Sequence, residues 1–161
     1  MREVQIMGCS VTKRGRWIEL GKSDARRRMF RREYKYLVME EYVFRLAHAY
    51  PSVTVYRQSR LQQEASPLPM FRFDGNRLVV YPGYSWDGAS GPAVDTASSM
   101  APSLMHDCAY QSIRMGRLSR DYRKAADRDF RELLRSEGMG RVWSRVRYWA
   151  LRAFGGRAAK P

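Results

Sequence analysis

The spacing of apolar residues changes part-way along this 161-residue chain, and that change restricts the fold more than any other feature. In the first half, aromatic and β-branched residues alternate with polar ones, as in residues 34–46 and 53–56, which is the period of a half-buried strand. After residue 99 apolar residues recur at helical intervals. Strands followed by helices predict an α+β fold, with an N-terminal antiparallel β-sheet packed against a C-terminal cluster of about three helices.

The strongest local signal in the first half is Asp74-Gly75-Asn76, which lies between the strand-like segments 71–73 and 78–81. Asp-Gly between alternating segments is typical of a tight hairpin turn. We therefore expect a β-hairpin centred on this sequence.

Capping and breaking residues predict three helices in the second half. The first begins near residue 99 or at Ala101-Pro102 and ends by residue 116, the second spans 119–138, and the third spans about 140–154. On the third helix we expect six residues to be buried: Val142, Trp143, Val146, Trp149, Ala150 and Ala153.

The length of the chain predicts a single domain. It divides into a strand-rich part (1–82), a loop rich in glycine and proline (83–98), a helical part (99–154) and a tail that we expect to fray (155–161). Two well-separated cysteines favour a reducing compartment. The absence of a run of roughly 20 apolar residues predicts no membrane span, and the lack of a short apolar N-terminal segment with a small-residue cleavage site predicts no conventional secretion.

Charge is the most unusual property of the composition, with 30 Lys and Arg against 16 Asp and Glu and a net charge of +14. Arginine binds phosphate and carboxylate groups through a planar fork of donors. The charge indicates nucleic acid, or an acidic partner protein, as the ligand of an arginine-rich surface. An ordinary solvated surface is the alternative interpretation.

Three ordered motifs occupy residues 83–92 (GYSWDGASGP), 103–110 (SLMHDCAY) and 123–130 (RKAADRDF). They resemble the motifs of DUF1353, a family of small phage and prophage proteins of unknown function, and the resemblance extends from about residue 71 through a closing helix that ends at residue 156. It implies a phage or prophage origin, and a place in the cytoplasm of an infected or lysogenic bacterium or in the virion. It implies no reaction, cofactor or partner.

The motifs place several polar residues on the first helix and its preceding loop. His106 and Tyr110 are one helical turn apart and share a side, whereas Asp107 is rotated by about 100° from His106. One hypothesis is a phage accessory enzyme, a metal-assisted hydrolase whose polar site contains Asp87, His106, Asp107 and Asp127.

In that hypothesis, Ser90 and Tyr110 position the substrate. A divalent metal is held by His106, Asp107 and Asp127, because imidazole and carboxylate groups are common metal ligands.

The alternative hypothesis is a non-enzymatic virion, assembly or host-interaction protein. Asp87 then binds its own loop backbone and His106 donates to a loop carbonyl. Arg123 and Asp127 are four residues apart and form a partly buried structural ion pair, or Arg123 pairs with Asp107 instead. In either case we expect the loop to pack on the first helix, with Asp87 in reach of His106 or of its own backbone.

Overall fold

Antiparallel strands followed by three helices make up this computed structural model, which describes residues 8–20, 35–57, 67–88 and 96–156. The predicted α+β class is therefore confirmed. The strands are β1 (Ser10–Lys13), β2 (Trp17–Glu19), β3 (Tyr36–Val38), β4 (Tyr42–Tyr56), β5 (Pro69–Val80) and β6 (Ser85–Trp86). The helices are α1 (Ala97–Arg114), α2 (Tyr122–Ser136) and α3 (Arg141–Phe154).

The described strands form two three-stranded sheets, one in the order β1-β4-β5 and the other in the order β2-β3-β6. In the larger sheet, β4 and β5 form a long antiparallel pair that begins with Tyr42 opposite Val80 and ends with Tyr56 opposite Pro69. In the smaller sheet, the ring of Tyr36 lies 5.0 Å from Trp17 and 5.3 Å from Trp86 between ring centroids. Aromatic contacts thus hold three short strands that have few backbone hydrogen bonds.

The inward side chains of the strands and the apolar faces of α1 and α2 belong to one core. Alternation along each strand places every second side chain on the buried side. The largest fully buried side chains of this core are Trp86, Phe44, Phe71, Phe73, Leu46, Leu78, Leu104, Met105, Leu133, Leu134, Val38 and Val55.

The predicted hairpin turn at Asp74-Gly75-Asn76 is wrong, because these residues lie inside the continuous strand β5. Gly75 has a φ of 57° and lies opposite Tyr50, where the β4–β5 register shifts. The Asn76 side-chain amide donates to the Leu46 carbonyl oxygen at 3.1 Å. A bulge needs the same left-handed backbone as a hairpin turn, so the local signal alone did not separate the two.

The predicted strand at 34–46 is divided in the structure. β3 ends at Val38 and β4 begins at Tyr42, and the two strands belong to different sheets. Between them, the backbone N–H groups of Met39 and Glu40 both donate to the Arg16 carbonyl oxygen, at 2.8 and 3.1 Å. This contact with a distant part of the chain interrupts the ladder at Glu40, where a charged residue also interrupts the alternation of apolar residues.

The first two helices lie close to their predicted positions. α1 begins earlier than predicted, after Thr96, whose backbone N–H donates to the Ser99 hydroxyl at 2.9 Å. Pro102 therefore lies inside the helix and not in its first turn. α2 packs against α1 on one side and against β1 and β4 on another.

The predicted burial on α3 is wrong. Val142, Trp143, Val146 and Trp149 are exposed by half or more. Ala153 is also exposed, and Ala150 is only half-buried. The fully buried residue of this helix is Ser144. Helical periodicity identifies an apolar face but not its partner, and α3 packs on α2 with its other side.

Among the described residues, no helix has both the length and the apolar character needed to cross a membrane.

Candidate functional site

Asp127 of α2 is the centre of a buried polar network. Its side chain is completely buried. Oδ1 accepts hydrogen bonds from Nε2 of His106 at 2.9 Å and from the Tyr110 hydroxyl at 2.8 Å. Oδ2 lies 3.0 Å from a guanidinium nitrogen of Arg152 and 3.9 Å from Nε of Arg123. Both carboxylate oxygens are therefore surrounded by donors from all three helices.

Arg123 connects this network to the C-terminal end of α3. One of its terminal nitrogens donates to the carbonyl oxygens of Leu151 and Arg152, at 2.8 and 3.0 Å. Its Nε donates to the Tyr110 hydroxyl at 3.2 Å. The end of α3 lies close to Tyr110 of α1, since a Cβ atom added to Gly155 would lie 2.9 Å from the Tyr110 hydroxyl. The last carbonyls of a helix lack partners within the helix, so Arg123 caps α3 and fixes its position.

Burial and hydrogen bonding fix the protonation states of Asp127 and Tyr110. Burial alone would raise the pKa of Asp127, but the hydrogen bonds of His106, Tyr110 and Arg152 outweigh it and hold the pKa below its usual value. Burial, together with the charge of Asp127, raises the pKa of Tyr110. Asp127 thus remains a carboxylate and Tyr110 a phenol near neutral pH. Such an arrangement suits a clamp between helices better than a proton relay open to substrate.

Asp129, also fully buried on α2, is the centre of a second network that sequence analysis missed. Its carboxylate lies 2.7 Å from Nδ1 of His48, 2.8 Å from the Tyr50 hydroxyl and 3.4 Å from Sγ of Cys9. The backbone N–H of Ala47 in turn donates to that sulfur at 3.2 Å. Burial and the charge of Asp129 raise the pKa of Cys9, so the sulfur keeps its proton. This network fastens α2 to the larger sheet.

The two aspartates therefore have parallel roles on opposite sides of one helix. Residues two apart on a helix are rotated by about 200°, so Asp127 and Asp129 point in different directions. Each binds one histidine and one tyrosine, and together they use both histidines of the chain. The Asp-x-Asp spacing on an otherwise amphipathic helix was the available signal for the second network.

Asp107 belongs to a separate acidic pair. The backbone N–H of Asp87 binds its carboxyl group, and the side chain of Asp87 is exposed. Burial, and secondly the charge of Asp87, raise the pKa of Asp107 to about 7, while Arg114 acts in the opposite direction. Asp87 thus lies beside Asp107, whereas the partner of His106 is Asp127.

The strand that leads into Asp87 is anchored on α1, so the described part of the motif loop, residues 83–88, packs on the first helix. Nε1 of Trp86 donates to the Ser103 hydroxyl at 3.3 Å, and the Tyr84 hydroxyl donates to the Gln111 side-chain oxygen at 3.0 Å. Ser90, the other residue assigned to substrate positioning, lies outside the described residues.

Within the described ranges, no three His, Cys, Asp or Glu side chains converge as metal ligands. The candidate set of His106, Asp107 and Asp127 is therefore not assembled, because His106 and Asp127 bind each other while Asp107 is rotated toward the Asp87 backbone. The residues chosen from sequence occupy two clusters with different neighbours.

The outward side of α2, together with Arg120 two residues before the helix begins, forms a basic stripe, which we call the α2 basic face. Its members are three or four residues apart and hence lie on one side of the helix. All but Arg131 are exposed, and Arg131 is half-buried with no hydrogen-bond partner for its buried Nε. The α2 basic face consists of Arg120, Lys124, Arg128, Arg131 and Arg135.

In comparisons with known proteins, no family model, curated protein or solved structure matches the chain. The resemblance to the phage family therefore stays a prediction.

Proposed function

We propose that this protein is a non-enzymatic phage virion, assembly or host-interaction protein that binds nucleic acid through the α2 basic face. Its place is the cytoplasm of an infected or lysogenic bacterium, or the virion. The observation that carries this proposal is the separation of charge across α2: Asp127 and Asp129 are completely buried against neighbouring elements, while Lys124, Arg128 and Arg135 of the same helix are exposed.

The buried networks support the non-enzymatic part of the proposal. A catalytic acid or base needs hydrogen-bond reach to a substrate. His106 is only 4% exposed, and Asp127 is fully buried with both oxygens already occupied. Residues held in this way serve to fix helices relative to one another.

The spacing of cations on the α2 basic face supports binding to a polyanion. Cations four residues apart are separated by about 6 Å along the helix axis, and Lys124 and Arg135 by roughly 16 Å. A row of this length can contact several successive phosphates and release their counterions. Contacts to phosphates position a protein on nucleic acid without reading its sequence. We therefore expect binding to duplexes of any sequence.

Fluorescence anisotropy with a labelled duplex of arbitrary sequence tests the proposal. The double variant Lys124→Gln, Arg128→Gln should bind about tenfold more weakly than the parent, because two phosphate contacts are lost. A matched control removes two exposed arginines from β5, Arg72→Gln and Arg77→Gln, and should remain within about twofold of the parent.

Equal losses in the two double variants would contradict a localised site and assign the affinity to net charge alone. Binding of the parent to polyglutamate but not to duplex DNA would overturn the choice of nucleic acid and identify an acidic protein as the partner.

One observation favours a second candidate, the metal-assisted hydrolase. The Asp87–Asp107 pair includes a carboxyl group whose pKa is raised to about 7, as in sites that use acid–base chemistry. Calorimetric titration of the protein with Mg²⁺ or Mn²⁺ tests it. Binding that Asp107→Asn abolishes would support this candidate, and no binding would remove its basis.

A further inference from the structure

One side of α3 is apolar and exposed. The exposed fractions are 73% for Val142, 66% for Trp143, 50% for Val146, 66% for Trp149 and 79% for Phe154. The three aromatic side chains alone expose on the order of 400 Å², taking about 200 Å² for each aromatic side chain. A patch of this size reaches the range, about 300–600 Å², in which the largest apolar patch of a monomer is often functional.

This apolar side lies opposite the side by which α3 packs on the protein. Ser144 is fully buried, and Tyr148 and Leu151 are half-buried. At about 100° per residue, the exposed apolar residues span an arc of roughly 140°, and its centre is roughly 160° from the packed side. The apolar face therefore points directly away from the core.

Arginines border the apolar arc on both edges. Arg145 is exposed beside one edge, Arg141 is exposed one turn before it and farther round the helix, and the half-buried Arg147 lies at the other edge. The helix sequence RVWSRVRYWALRAF contains four arginines and no acidic residue. Long cationic side chains at the edges of an apolar face can extend toward negative groups above it while their stems cover apolar surface.

We propose that α3 binds the surface of an anionic lipid bilayer, with its apolar face inserted among the headgroups. A 14-residue helix is roughly 21 Å long, shorter than the hydrocarbon core of about 30 Å, so α3 lies in the plane of the bilayer. Trp143 and Trp149 occupy the interface, where tryptophan is favoured. The bordering arginines bind lipid phosphates, as in other interfacial helices.

The charge of α3 selects the bilayer over other occupants. A second copy of the chain would bring the same acid-free row of arginines against itself, with like charges facing each other. Nucleic acid offers phosphates for the arginines but leaves Val142, Val146 and Phe154 without an apolar partner. An anionic bilayer satisfies both the apolar centre and the cationic edges.

Co-sedimentation of the full chain with vesicles tests the inference. Vesicles of phosphatidylethanolamine and phosphatidylglycerol in a three-to-one ratio should bind the protein, and pure phosphatidylcholine vesicles should not. The double variant Trp143→Ser, Trp149→Ser should lose about tenfold or more in partitioning. The control Tyr56→Ser, Leu68→Ser removes two exposed apolar side chains elsewhere and should bind within about twofold of the parent.

The charged edge has its own pair of variants. Arg141→Gln with Arg145→Gln should weaken binding to anionic vesicles by about 25-fold, since each cation near such a surface contributes about 1 kcal/mol, or roughly fivefold. Arg72→Gln with Arg77→Gln removes the same charge from β5 and should have a smaller effect. Circular dichroism melting of each variant verifies that it is folded.

Three results would overturn the inference: no binding of the parent to anionic vesicles, equal binding by the Trp143, Trp149 variant, or a parental dimer that this variant converts to a monomer. The last result would assign the face to a second copy of the chain. The vesicle assay depends on α3 and the duplex assay on the α2 basic face, so either proposal can fail without the other.

Discussion

Replacing Asp127 with asparagine separates a structural clamp from a catalytic site. Asparagine keeps the shape of the side chain but removes its charge, and one of its two polar atoms becomes a donor. In the parent, both oxygens accept hydrogen bonds, from His106 and Tyr110 on one side and from Arg152 on the other. At least one buried donor in the variant therefore faces another donor.

The expected loss of stability follows from these contacts. An unsatisfied buried donor costs about 1–3 kcal/mol, and breaking a buried ion pair costs about 3–5 kcal/mol. The side chain of Arg152 is 30% exposed and keeps some contact with water, which places the total toward the lower end of the ion-pair range. We expect Asp127→Asn to reduce the free energy of unfolding by about 3 kcal/mol.

Urea unfolding measures this change. With a denaturant slope of about 2 kcal/mol per molar urea, the midpoint should fall by roughly 1.5 M. Asp74→Asn is the matched control, because Asp74 pairs with Arg72 at 2.9 Å while both side chains are about half exposed. Exposed pairs of this kind contribute about 0–1 kcal/mol.

A variant Asp127→Asn as stable as the parent, or more stable, would refute this reasoning. Functional sites are often held against the stability of the fold, so that outcome would return the His106–Asp127 pair to a catalytic role.

Two further predictions concern Asp107 and the end of α3. Because the pKa of Asp107 is about 7 in the fold against an ordinary 3.8, the folded chain binds this proton more tightly, so its contribution to stability falls as pH rises from about 4 to about 7. Asp107→Asn should remove that decline and stabilise the protein above pH 7, as urea midpoints across a pH series would reveal. Gly155→Ala should lower the melting temperature, since its Cβ would lie 2.6 Å from the Leu151 carbonyl oxygen and 2.9 Å from the Tyr110 hydroxyl. An unchanged melting temperature would show that α3 is not closely docked.

Periodicity was sufficient for the fold class and for most of the helical core. Strand alternation and helical spacing report which side of an element is apolar, and for α1 and α2 that side is buried, as in Leu104, Cys108, Phe130 and Leu133. The same reasoning failed for α3. Periodicity shows which side of a helix is apolar, but it does not show whether another element of the same chain covers that side.

Part of the candidate site could also be predicted from helical spacing. Helical spacing was enough to place His106 beside Tyr110 and Arg123 beside Asp127. Arg152 and Asp129 were not found, because their partners lie on other elements and far away in sequence, and no local pattern encodes such contacts.

The salt dependence of duplex binding by the parent protein tests the central claim most directly. If all five cations of the α2 basic face contact phosphates, the logarithm of the association constant should fall with the logarithm of salt concentration with a slope of about −4.5. The proposal predicts a slope near that value, reduced by about two in the variant Lys124→Gln, Arg128→Gln. A parental slope near zero, or one that this variant leaves unchanged, would contradict the assignment of nucleic-acid binding to this face.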